Sequence, residues 1–114
     1  MKYVILLGDS IFDNKVYVKG GLDVITHLRR LIPQEWKADL LAVDGSVVEN
    51  VSEQVLDLPE GATHLVISAG GNDALFTFGF LHDKAESNAE VLAKLADVAG
   101  RFESDYCAML QTVL

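Results

Sequence analysis

With 114 residues, half of them apolar, and a formal net charge of −8 at pH 7, the chain can form one small domain with a real core but not two. The acidic balance argues against nucleic acid or an anionic membrane as partner, because phosphate recognition draws on clustered Lys and Arg; the apolar content argues against disorder. One cysteine, Cys107, leaves no disulfide to form within the chain and fits a reducing, cytoplasmic setting.

No CxxC pair, HExxH or Cys/His cluster occurs, so neither a metal nor another cofactor is expected. Met1-Lys2 and the five apolar residues after them are too short for a signal peptide, and no stretch approaches the ~20 apolar residues of a membrane span.

Tyr3-Val4-Ile5-Leu6-Leu7 is a continuous apolar run stopped by Gly8-Asp9-Ser10, the pattern of a strand buried on both faces of a parallel sheet. Ile11-Phe12-Asp13-Asn14 is a turn-prone exit. Gly20-Gly21 then opens a helical pattern with Leu22, Ile25, Leu28, Leu31 and Ile32 on one face, ended by Pro33. Lys37 to Asp44 is the second strand, followed by Gly45. Ser46 with Glu49 reads as a capping box ahead of Val47, Val48, Val51, Val55 and Leu56 at helical spacing.

His64-Leu65-Val66-Ile67-Ser68-Ala69 is the third strand, ending in Gly70-Gly71-Asn72-Asp73. A loop with Leu75, Phe76, Phe78, Phe80 and Leu81 follows. These side chains either line an acyl pocket beside Asn72 or pack under the last helix, and packing is the favoured reading for most of them. Ser87 and Glu90 form a second capping box. Val91, Leu95, Val98, Phe102, Tyr106, Met109 and Val113 then step by three or four through a long amphipathic helix, in which Gly100 marks a point of bending or breakage. Cys107 reads as a buried small hydrophobe on that helix. The order strand–helix repeated three times predicts an α/β fold of three layers, a parallel sheet flanked by helices.

Ligands of open α/β sheets bind at the carboxyl ends of the strands, and here all three strands end in glycine beside a small polar group. A serine hydroxyl attacking an ester generates an oxyanion, which needs preorganised donors about 2.7–3.1 Å away. Backbone N–H groups at glycine turns and an asparagine amide supply such donors. Ser10 N–H, Gly45 N–H and the Asn72 side chain form a chemically sensible trio. Taken singly, each has a plainer use: Ser10 as a turn residue, Gly45 as a turn glycine, Asn72-Asp73 as a helix-capping pair. Asp9 is expected to hold the first turn through its backbone N–H groups.

In order and in context, the three blocks resemble the SGNH (GDSL-like) hydrolase family. The resemblance implies a flavodoxin-like sheet, a small-molecule ester substrate and a serine nucleophile at Ser10. It also implies an oxyanion hole from the Ser10 and Gly45 amides and the Asn72 side chain, with Asp9 and Asp73 in support. It covers the front part of the family's usual domain, so residues 1–114 are expected to form a single domain, either truncated or that of an unusually short family member. The family's closing Asp-x-x-His, source of the general base, has no counterpart.

Of the three histidines, His27 lies mid-helix as a structural residue and His64 starts the third strand, at the wrong end. His82 is the one that could reach the serine's edge. A serine hydroxyl without an adjacent base is a poor nucleophile. The alternative is therefore a non-catalytic remnant or a binding or oligomerisation module that keeps the oxyanion corner. No GxGxxG or GxxxxGK(S/T) supports nucleotide binding. Nothing covers the outer edge of the third strand in this order of elements, which suggests a homodimer joined through that strand or the last helix.

Overall fold

Every residue from Tyr3 to Gly8 is buried, and together they form β1, the middle strand of the sheet in a computed structural model describing residues 1–114. β2 (Lys37–Leu40) and β3 (His64–Ser68) flank it in the order β2-β1-β3, both parallel to it. Val4 faces Ala38 and His64 across the ladder, and Leu6 faces Leu40 and Val66. The central place explains the unbroken apolar run, since a middle strand of a parallel sheet has no solvent face.

Alternate residues of β1 feed two cores. Tyr3, Ile5 and Leu7 pack with Val48 and Val51 of α2 (Val48–Val55) and Met109 of α4 (Asn88–Val113). Val4 and Leu6 pack with Ile25 of α1 (Val24–Leu31) and with Ala38. Helices therefore cover both faces of a three-stranded parallel sheet, the expected three-layer α/β arrangement.

Several boundaries differ from the sequence reading, each for a local reason. α1 starts at Val24 because Asp23 caps it, accepting from Thr26 N (3.3 Å) and from the Thr26 hydroxyl. β2 stops at Leu40 and not at Asp44, because Leu41 N and Ala42 N both donate to Leu6 O (2.9 and 3.0 Å), a bulge that ends regular pairing. The Ser46/Glu49 capping box does not form. Val47 is the N-cap, its N–H donating to Asn50 Oδ1 (2.8 Å), while Ser46 is turned inward and only 6% exposed.

The apolar segment after Asn72, expected as a loop, is helical: α3 (Gly71–Thr77) runs into a 3₁₀ turn at Phe78–His82. The expected packing under the last helix holds only for Phe80, which is half-buried and shares a cleft with Lys94, Val98 and Arg101 of α4; most of the segment's side chains are left uncovered. Leu75, Phe76, Phe78 and Leu81 are 69, 70, 42 and 54% exposed. α4 cannot cover them, because its core contacts begin only at Phe102 and continue through Tyr106, Met109 and Val113.

Ser87 caps α4 as expected, its Oγ accepting from Glu90 N (3.1 Å). The helix runs through Gly100 without a break. Cys107 is exposed, contrary to its reading as a core residue; two residues from the buried Met109 is about 200° around a helix, on the outward side.

The two sheet edges are treated differently. Arg29 covers β2, donating through Nε to Ala38 O (2.9 Å) and pairing through Nη2 with Asp39 (2.9 Å). β3 has no strand beyond it, and Val66 is 43% exposed. The molecule is elongated, 60 × 36 × 18 Å with a radius of gyration of 17.4 Å, against about 13 Å for a compact chain of this length. No helix is long and apolar enough to cross a membrane.

Candidate active site

The three strand ends meet at one edge, and Gly8 is the pivot. Its φ is +124°, and a Cβ built there would lie 1.8 Å from Ser68 O, so only glycine lets β1 and β3 close here. Asp9 N continues the pairing by donating to Ser68 O (3.0 Å). The chain then turns sharply. Asp9 O accepts from Phe12 N (3.1 Å) and Asp13 N (3.0 Å), and Asp9 Oδ1 accepts from Ile11 N (3.1 Å). Asp9, 4% exposed, thus has the turn-holding place expected of it. Ser10 is half-buried in this turn, and neither its hydroxyl nor its backbone N–H is hydrogen-bonded within the chain.

The second corner is the turn Val43 to Ser46, closed by Ser46 N donating to Val43 O (3.1 Å), with Gly45 at φ +86° in the position where such a turn demands a left-handed residue. Two bonds hold it against the first corner: Val43 N to Gly8 O (3.0 Å) and Asp44 N to Asp13 Oδ2 (2.7 Å). The Tyr17 hydroxyl donates to the Asp44 carboxylate (2.8 and 3.0 Å). That bond and the carboxylate's charge raise the phenol's pKa above its ordinary value. The Gly45 N–H, like that of Ser10, donates to no group of the chain.

The third corner reaches back to the second. Asn72 Nδ2 donates to Ser46 O (2.9 Å), leaving its other N–H uncommitted. Asp73 does not cap its own helix; its carboxylate accepts from Val48 N (3.1 and 3.2 Å) at the start of α2. An anionic oxygen there satisfies an orphan donor and complements the positive end of the helix. Asn72-Asp73 therefore ties block three to block two at two points.

One participant was not visible in the sequence. Gln54, on α2 and 8% exposed, accepts from Gly8 N through Oε1 (2.8 Å) and donates through Nε2 to Gly8 O (2.9 Å) and Ser46 Oγ (3.3 Å). The available signal was a polar residue on the apolar stripe of α2, three positions after the fully buried Val51.

None of the histidines stands beside Ser10 through a hydrogen bond. His27 is exposed on α1. His64 pairs with Val4, four residues and about 13 Å of strand upstream of Gly8; its Nδ1 meets Thr63 Oγ1 (2.8 Å), and its ring stacks on Trp36. His82 ends the exposed 3₁₀ turn and makes no hydrogen bond to a carboxylate or to Ser10. No group of three or more His, Cys, Asp or Glu is placed to hold a metal.

A surface cleft of about 420 Å³ adjoins the second corner, lined among others by Asp44, Gly45, Ser46, Glu53, Gln54 and Asp57; Ser10 and Asn72 lie outside its lining. The edge thus combines an unbonded serine hydroxyl with two unbonded backbone N–H groups. No protein-family model matches the chain, and no curated protein matches it either.

Proposed function

We propose that this edge is the nucleophile and oxyanion-hole portion of an SGNH-type serine ester hydrolase. The reading is supported chiefly by the Ser10 and Gly45 backbone N–H groups, both free of internal acceptors at the strand edge that carries the Ser10 hydroxyl. Ser10 Oγ attacks the ester carbonyl and gives up its proton to a base. The Ser10 and Gly45 N–H groups and the free Asn72 N–H steady the tetrahedral oxyanion. Collapse expels the alcohol, which takes up the proton, and water then cleaves the acyl-serine. The histidines leave the base unassigned within these residues, so the proposal places it on a group they do not carry.

Imidazole in solution can stand in for that base. With p-nitrophenyl acetate alone, turnover is expected near the solvent background. With imidazole, the chain should hydrolyse the ester faster than Ser10→Ala at the same imidazole concentration, and mass spectrometry should find acetyl on Ser10. Asn72→Ala should lower this Ser10-dependent rate by about 10²-fold. Equal rates for the chain and Ser10→Ala, with no acetyl-Ser10, would overturn the reading.

A second reading rests on the exposed apolar surface. Leu75, Phe76, Phe78 and Leu81 are exposed, and β3 has no strand on its outer side, which suits a non-catalytic association module in which a second copy pairs along β3. Sedimentation equilibrium distinguishes it: a dimer dispersed by Phe76→Glu is expected, and a monomer at all concentrations would exclude it.

A further inference from the structure

We propose that Gln54 is the positioning residue of the Ser10 edge, fixing the turn that presents Ser10 against the turn that presents Gly45; the inference rests on the ester-hydrolase reading. A single side-chain amide holds both backbone groups of Gly8, Oε1 accepting from its N–H (2.8 Å) and Nε2 donating to its C=O (2.9 Å), and the same Nε2 reaches Ser46 Oγ (3.3 Å). Gly8 lies two residues before Ser10, and Ser46 directly follows Gly45. The strand end before Ser10 and the side chain that follows Gly45 are thereby tied to one point on α2.

The chemistry of the contact requires glutamine. Both halves of the amide are used, one as acceptor and one as donor, and the group is 8% exposed. Glutamate would set a second oxygen against Gly8 O and bring a charge into a poorly solvated place. Leucine would leave the Gly8 N–H without its partner. Asparagine is one methylene too short to reach from the same helix position. Gln54 touches no reacting atom; it acts through Gly8 and Ser46, by holding two oxyanion donors in register before substrate arrives.

The test compares Gln54→Leu and Gln54→Glu with Val51→Ala, a substitution of a fully buried α2 neighbour that has no polar contact with the edge. Two readouts are used: the imidazole-supported, Ser10-dependent acetylation rate per folded molecule, and the backbone amide signals of Gly8, Ser10 and Gly45 by NMR. The Gln54 variants should lose at least about 10-fold in acetylation and shift all three amide signals. Val51→Ala should lose stability but keep the rate and the Ser10 and Gly45 signals.

Equal losses in Gln54→Leu and Val51→Ala would reduce Gln54 to a stability residue and overturn the inference. If the unaltered chain shows no acetyl-Ser10, the hydrolase reading fails, and the amide signals then decide the rest. Movement at Gly8 alone would overturn the positioning role, whereas movement at Ser10 and Gly45 would uphold it.

Discussion

At Gly8 one methyl group decides whether the sheet can close. Alanine would need φ near +124° and would put its Cβ 1.8 Å from Ser68 O, a backbone atom that cannot swing aside. Gly8→Ala is therefore expected to cost at least about 3 kcal/mol, seen as a large fall in the urea midpoint; an unchanged midpoint would mean that the strands do not meet as described. Asp39 supplies a pH test. The Tyr3 hydroxyl holds its carboxyl below the ordinary range; burial opposes this less strongly, and Arg29 and Lys37 add to the lowering. With the folded pKa lower than the unfolded one, this contribution is present above about pH 4 and is lost as pH falls through the folded value. Asp39→Asn should therefore lower the melting temperature at pH 7 and shrink the difference from the parent in strong acid; an equal deficit at both pH values would exclude the linkage. Ser10, Asp9, Gly45 and Asn72 could be picked out from sequence because each follows an apolar run within a few residues. The partners of Asp13, Asp73 and Gln54 could not, since they lie 31, 25 and 46 positions away and no local pattern records a pairing made by the fold.

Among the elements, the strands and α4 were readable because apolar run length and three-to-four spacing reflect local geometry directly. What spacing cannot reveal is whether anything covers the face it defines. The same periodicity that correctly marks Phe102, Tyr106 and Met109 as inward continues into Val91, Leu95 and Val98, where the core has ended. The early stop of β2 and the failed Ser46 cap have a common cause: a bulge opposite Leu6 and the pull of Gln54 on Ser46 are tertiary contacts that override local preference. α4 allows two opposite tests of local helix energetics. Gly100 is exposed, sits mid-helix and has no atom within 4 Å of an added Cβ. Gly100→Ala should therefore stabilise by about 1 kcal/mol, read as a higher melting temperature and greater helicity by circular dichroism. Ser87→Ala removes the bond to Glu90 N and should cost about 1 kcal/mol. A melting temperature lowered by Gly100→Ala would show a close neighbour at that position.

Taken whole, the molecule divides into a dense end and an exposed arm. β1, α2 and the last turns of α4 share one core around Ile5, Leu7, Val48, Val51 and Met109. α3, the 3₁₀ turn and the first turns of α4 contribute no buried residue, and the extension is visible in the 17.4 Å radius of gyration. Local opening free energy follows buried contact, so hydrogen exchange should be strongly graded. β1 amides should exchange only through global unfolding, while those of residues 71–98 exchange at least about 100-fold faster. Hydrogen–deuterium exchange followed by mass spectrometry measures this, and its dependence on concentration adds a second answer. If the arm is free, residues 75–81 exchange quickly at every concentration. If a second copy pairs along β3 and covers Leu75, Phe76 and Val66, their exchange slows as concentration rises, and Phe76→Glu restores the fast rate. Uniformly slow exchange of the arm at low concentration would contradict both, because α3 and the 3₁₀ turn hold no buried residue to provide the protection.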